Sequence, residues 1–215
     1  MNRMDFSVGS CIRFGWETFK QRPWFLAGVA LFLAVVPQVL SGPVSPLMRS
    51  HQSQGIMLGL GVVVLSAVVG IFLKMGTIAI SLKAHDSISS TRFSDLWAPQ
   101  TFWSFVGASI VVGLIVALGT VLLIVPGIIW GLRYMFVLYI VIEQKLGVSK
   151  ALTESWRITK GHTWRLFLFS LALIGINILG AMCLVVGLLV TIPVSYLAMA
   201  HAYRTLSGNS SSVAL

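Results

Sequence analysis

Arg133 is the residue whose type and place most invite chemistry. It stands in an apolar run from about 128 to 142, six residues after Gly127. At ~1.5 Å per helical residue that is about 9 Å below the outer end of the run. A charge at such depth in a hydrocarbon core is costly and often functional. No Asp or Glu falls inside an apolar run to pair with it; Glu143 is the nearest acid, at the far end of the same run. Three uses are open to the guanidinium: a lipid phosphate, a substrate anion or helix-end carbonyls. The plainer reading is a structural arginine that snorkels outward along Tyr134 and Trp130.

A second set of cations lies outside the apolar runs: Arg13, Lys20 and Arg22, then Lys150, Arg157, Lys160 and Arg165. Each is worth about 1 kcal/mol beside an anionic headgroup layer. The same residues also set topology, and the two roles are compatible. Other chemistries are poorly provided for. Coupled ion transport normally uses intramembrane carboxylates. His85, His162 and His201 are too scattered to form a ligand set by spacing, and Cys11 and Cys183 show no metal or redox spacing. No nucleophile elbow, zinc-protease, phosphate-loop or dinucleotide motif is present. The reading is no enzyme, no metal and no cofactor.

The elements that position these residues follow from composition and pattern. The chain has 215 residues, 57% of them hydrophobic and 10% charged, with a net charge of +9. Soluble domains carry roughly a quarter charged residues, so this is the composition of a membrane protein. Its positive charge reads as a bias between membrane faces, not as a nucleic-acid surface. The expected architecture is all-α and polytopic, with six transmembrane helices over about 24–41, 55–84, 102–125, 128–142, 164–186 and 188–203. The third and fourth are joined by a tight turn at Pro126-Gly127, the fifth and sixth by one at Gly187. The second, at about thirty residues, is longer than a core of about 30 Å requires and should tilt or project. Its Gly59, Gly61, Gly70 and Ala67 offer close-packing surfaces, and Asn177 offers an interhelical hydrogen bond.

Before each hairpin the pattern places an interfacial amphipathic helix, over about 5–22, 93–99 and 148–161. Val8, Ile12, Trp16 and Phe19 form the membrane-facing stripe of the first, and Val148, Leu152 and Trp156 that of the third. Phe93, Leu96 and Trp97 serve the short middle one. Ser149 is the N-cap candidate of the third, Lys160-Gly161 its stop, and Pro23 ends the first. Trp16, Trp24, Trp97, Trp103, Trp156 and Trp164 are the interfacial anchors. Residues 207–215 read as a disordered tail.

With six spans, both termini share one side. That side collects twelve Lys/Arg and the opposite side only Arg49, which puts both termini in the cytoplasm. The first and third amphipathic helices align without gaps: Val8 with Val148, Trp16 with Trp156, Lys20 with Lys160, Trp24 with Trp164. The chain therefore reads as three units of parallel orientation, each an interfacial element followed by a helical hairpin.

Val125-Pro126-Gly127-Ile128 with Arg133, the stretch Ser149 to Trp156, Lys160-Gly161, Trp164-Arg165, Gly187 and Pro193 carry a family resemblance over residues 125 to 206. The chain resembles a group of six-helix bacterial membrane proteins. The group includes the DUF975-like proteins and the membrane domain attached to some glycerophosphodiester phosphodiesterases; the chain is more loosely similar to the YciC/UPF0259 proteins. The resemblance implies a helical domain in a bacterial inner membrane. It does not imply phosphodiester hydrolysis, which belongs to a separate catalytic barrel in those proteins.

Two functions fit. The first is a non-enzymatic membrane protein that engages anionic lipid, and a protein partner or second copy of itself, through its basic interfacial helices. The second is a small transporter or an export or immunity factor for an amphipathic or anionic molecule, using Arg133.

Overall fold

The computed structural model describes residues 6–41, 53–87 and 101–211. Among these the chain forms nine helices and no strand: α1 Val8–Gln21, α2 Pro23–Ser41, α3 Ser53–Ser87, α4 Phe102–Leu122, α5 Ile124–Tyr134, α6 Val137–Gln144, α7 Val148–Thr159, α8 Thr163–Met182 and α9 Leu184–Ser211. Trp97, the 93–99 element and residues 212–215 lie outside the described residues. Among the described residues four stretches are long and apolar enough to cross a membrane: Leu58–His85, Phe102–Leu122, Val125–Gln144 and Thr163–Met182. The bent pair α1–α2 makes a fifth if taken as one span. Long apolar helices of this kind are those of a membrane protein, and by this measure the expected six is not reached.

Several boundaries differ from the sequence reading. The turn expected at Pro126-Gly127 is at Leu123, whose backbone is extended. Pro126 instead occupies the first turn of α5, where its missing N–H leaves no bond unmade. Gly127 is small because Thr120 packs against it: a Cβ there would overlap the Thr120 backbone and hydroxyl. The second tight turn falls at Cys183, and Gly187 lies inside α9 against the Gly180 backbone. The expected fourth span is broken at Met135-Phe136 into α5 and α6. Gly147, not Ser149, is the N-cap of α7. Gly161, at φ +85°, ends that helix as expected. The tail is helical as far as Ser211. Gly61 and Gly70 face open space, not a neighbouring helix.

The core sits at one end of the molecule. α3 is exposed at Leu58, Val64 and Val68 but buried at Met75, Ile78, Ile80, Leu82 and Ala84. The buried end also takes Phe136 from the break before α6, Val137, Ile140 and Val141 from α6, Leu166 and Phe169 from α8, and Leu197, Tyr203 and Leu206 from α9. Thr101 Oγ1 lies 3.9 Å from Met75 Sδ, and Phe72 stacks on Phe102 at 4.6 Å. Lys74, expected inside a span, is therefore level with the start of α4 and is exposed.

α1 and α7 close this end. α1 meets α2 at a bend of 103° and buries Cys11, Gly15, Thr18 and Phe19. α7 buries Ala151, Ser155, Ile158 and Thr159. Trp16 and Trp156, of the stripes expected to face the membrane, are 47% and 39% exposed. Val8, Ile12, Val148 and Leu152 are half-buried against the core. The small residues Gly15, Ala151 and Ser155 let the two helix backbones approach the bundle closely.

The repeat seen in the tryptophans extends to packing. Residues 7–22 and 147–162 carry the same succession of buried, half-buried and exposed positions throughout. A second correspondence relates α4 to α8, pairing buried Phe105, Ala108 and Gly119 with Leu166, Phe169 and Gly180. Trp24, Trp103 and Trp164 are each the second residue of their helix, at 90%, 82% and 69% exposure.

Candidate functional site

The site grows out of the break between α5 and α6. The last carbonyls of a helix lack intrahelical donors, and the Arg133 carbonyl at this end is part-buried. Ser155 of α7 supplies one: its Oγ–H donates to the Arg133 carbonyl at 2.7 Å. The Thr159 hydroxyl lies 3.4 Å from the same oxygen and 2.8 Å from its own helix's Ser155 carbonyl. α7 is thereby pinned beside Arg133.

That docking decides what the Arg133 side chain meets. Its guanidinium lies over the Trp156 ring, 3.8 Å from the centroid, with the Tyr134 ring 6.0 Å from Trp156. The sequence reading had Arg133 snorkelling outward along Trp130 and Tyr134; the structure turns it onto α7. A cation on an indole face is worth about 0.5–2 kcal/mol, depending on solvation. Among the described residues Arg133 is in no ion pair. Its N–H donors are thus held against the indole, with no carboxylate of the described residues paired to them.

α1 docks in the matching register on α9. A Cβ on Gly15 would stand 2.6 Å from the Val194 carbonyl and 3.2 Å from the Ala198 nitrogen. Gly15 aligns with Ser155, and Val194 follows Arg133 by the same interval that separates Trp103 from Trp164. The two docks are therefore equivalent, except that one is closed by a hydroxyl and the other by bare contact. The arginine belongs to only one of them.

The other predicted cations fall around these docks. On α1, Arg13 pairs with Glu17 at 2.7 Å and Lys20 lies 5.6 Å from the Trp16 ring centroid. Arg22 stacks on Phe25 at 4.9 Å. On α7, Arg157 grips both oxygens of Glu154 at 2.6 and 2.8 Å, and Lys150 and Lys160 are exposed. Arg165 Nη1 is 3.5 Å from the Phe6 carbonyl. Exposed pairs such as Arg13–Glu17 add little stability. What they leave is a set of cations bordering the exposed tryptophans.

Cys11, inside the α1 dock, is pushed up to about 11 by burial, with a smaller opposing hydrogen bond from Ser10. Cys11 and Cys183 are both free. Asn177 makes the interhelical bond expected of it, Nδ2–H to Ser195 Oγ at 2.8 Å. The sequence reading kept the histidines apart; the structure brings His85 and His201 to 3.1 Å and leaves His162 beside the Lys160 carbonyl. No spacing rule could have found that pair, because it joins two different helices. Among the described residues no group of three or more His, Cys, Asp or Glu is placed to hold a metal ion.

Searches of curated proteins and of solved structures return no match. One family model does match, over residues 62–210, and its description reads "Protein of unknown function (DUF975)". The match supports the DUF975-like part of the resemblance; the likeness to glycerophosphodiester phosphodiesterase membrane domains receives none. With well over half of its length inside that match, the chain belongs to the DUF975 family.

Proposed function

We propose that this is a non-enzymatic protein of a bacterial inner membrane that holds anionic lipid headgroups at the cytoplasmic face. On this reading the chain crosses six times as three hairpins, with both termini in the cytoplasm. α1 and α7 are amphipathic interfacial helices: each turns its small-residue face to the bundle and its cations and tryptophan to the headgroups. The observation that carries the reading is Arg133, stacked on Trp156 at 3.8 Å and in no ion pair among the described residues. A guanidinium held this way presents a planar fork of donors that matches a phosphate. The exposed Trp24, Trp103 and Trp164 support the same placement, because indoles concentrate at the membrane–water boundary.

The test is quantitative lipid analysis of protein extracted with native membrane. Arg133→Gln should retain about fivefold less phosphatidylglycerol and cardiolipin than the wild type, the equivalent of about 1 kcal/mol per lost cation. Arg133→Lys should fall between them, since it keeps the charge and loses the fork. Replacing Lys20, Lys150, Arg157 and Lys160 together by Gln should lower anionic lipid further without changing zwitterionic lipid. Equal anionic lipid in all variants would overturn the proposal.

A further inference from the structure

The two docked helices differ in the cations around their tryptophans. Trp16 and Lys20 of α1 align with Trp156 and Lys160 of α7, and all four are exposed. Each helix also carries an internal ion pair, Arg13 with Glu17 and Arg157 with Glu154, which sets those charges against each other. In α1 the i, i+4 spacing brings the Lys20 ammonium to 5.6 Å from the Trp16 centroid. In α7 the Trp156 ring is met by a cation from another helix, the Arg133 guanidinium of α5 at 3.8 Å. Lys160 keeps its place one turn beyond Trp156, so α7 has a second cation where α1 has one.

The contacts of Arg133 set Lys160 beside it. Its carbonyl meets Ser155 Oγ at 2.7 Å and Thr159 Oγ1 at 3.4 Å, and its side chain covers Trp156 between them. Lys160 is the next residue after Thr159 and leaves the helix in an extended conformation, with φ −61° and ψ 128°. The α1 dock has no such doubling. Val194 stands where α5 has Arg133, and Arg22, at the 103° bend, stacks on Phe25.

Charge and shape then select the anion. A phosphodiester headgroup has a single negative charge and a pair of free oxygens. A phosphomonoester carries about −1.5 to −2 at pH 7 and a third acceptor oxygen. A guanidinium fork takes two oxygens in parallel. An ammonium is a compact point charge with rotatable donors, suited to the remaining oxygen. A diester satisfies the fork of Arg133 and offers little to Lys160; a monoester uses both. Trp156 and Trp164, 39% and 69% exposed on either side of Lys160, favour a phosphate carried by a lipid over a soluble one.

We propose that Arg133 and Lys160 form a phosphomonoester site that takes phosphatidic acid in preference to the diester lipids. This narrows the lipid reading above, on which it rests, to one headgroup chemistry. The full chain is reconstituted in phosphatidylcholine vesicles holding equal amounts of phosphatidic acid and phosphatidylglycerol, and the lipids retained on the protein are counted by native mass spectrometry. The wild type should retain about fivefold more phosphatidic acid than phosphatidylglycerol, the equivalent of one further cation contact. Lys160→Gln should bring that ratio to about one by losing phosphatidic acid, and Lys160→Arg should restore it. Lys20→Gln, the matching change on α1, should lower both lipids and leave the ratio as it was. Excess glycerol phosphate should displace neither lipid; displacement would assign the site to a soluble phosphomonoester and overturn the lipid source. A wild-type ratio near one, or a ratio unchanged in Lys160→Gln, overturns the monoester site. Arg133→Gln tells the two readings apart: if it lowers both lipids while Lys160→Gln leaves the ratio unchanged, only the monoester site falls, and if it lowers neither, the lipid reading falls with it.

Discussion

Gly15→Val tests the docking of α1 most directly. An ideal Cβ at this position stands 2.6 Å from the Val194 carbonyl oxygen, and ordinary contact begins near 3.4 Å, so α1 must retreat by about 0.8 Å. The nearest two obstacles are backbone atoms of α9, which have no rotamer to change. Overpacking costs about 1–3 kcal/mol, and the rigid neighbours put this case near the top of that range. Valine returns only a few tenths of a kcal/mol in helix propensity over glycine. The net is about 2–3 kcal/mol against docking, or roughly 30- to 150-fold in the open fraction at 1.4 kcal/mol per decade. The assay is maleimide labelling of Cys11, which is 1% exposed inside the dock, in a Cys183→Ser background in native membranes. Gly9→Val is the control: the nearest atom to its Cβ is Ser7 Oγ at 4.0 Å, and Cys11 should remain protected there. Equal Cys11 protection in Gly15→Val and Gly9→Val, both folded, would refute the claim that α1 seats on the α9 backbone.

The equivalent dock of α7 should respond to loss of a hydroxyl. Ser155→Ala leaves the part-buried Arg133 carbonyl with Thr159 at 3.4 Å as its remaining side-chain contact, which should cost about 1 kcal/mol and lower the unfolding temperature in detergent by a few degrees; an unchanged transition would count against the bond. The Cys11 thiol, with an ordinary value of 9.0 raised to about 11, predicts an alkaline effect. An acid whose folded value is raised stabilises the fold fully below the unfolded value and loses that contribution as pH rises through the folded one. Docking of α1 should thus be constant below about pH 9 and weaken towards about pH 11, and Cys11→Ala should remove that dependence from its hydrogen exchange.

Much of the layout was legible in the chain because membrane composition, helical period and glycine stops are local signals. The end of α7 at Gly161, the break of α1 before Pro23 and the register of the W-x3-K-x3-W repeat needed no partner to be read. The faces of the helices did not yield to the same reasoning. Hydrophobicity marked Trp16 and Trp156 as membrane-facing, but it did not say that Gly15 and Ser155 meet the bundle, because backbone-to-backbone approach rewards small volume over apolar area. Pro126 and Gly127 were read as a turn from their usual role; in the fold one tolerates the start of a helix and the other admits Thr120.

What the sequence determined by itself is that this is a helical chain of membrane composition in which the pattern of α1 recurs in α7, since those properties are read from local residues. Tertiary structure decided which charges and rings meet. Arg133 rests on Trp156 only because α5 breaks and α7 folds back to cover the break. His85 and His201 meet across 116 positions only because α3 and α9 converge under α1. Such contacts depend on how helices cross, and helix crossing is set by the packing of all their side chains at once.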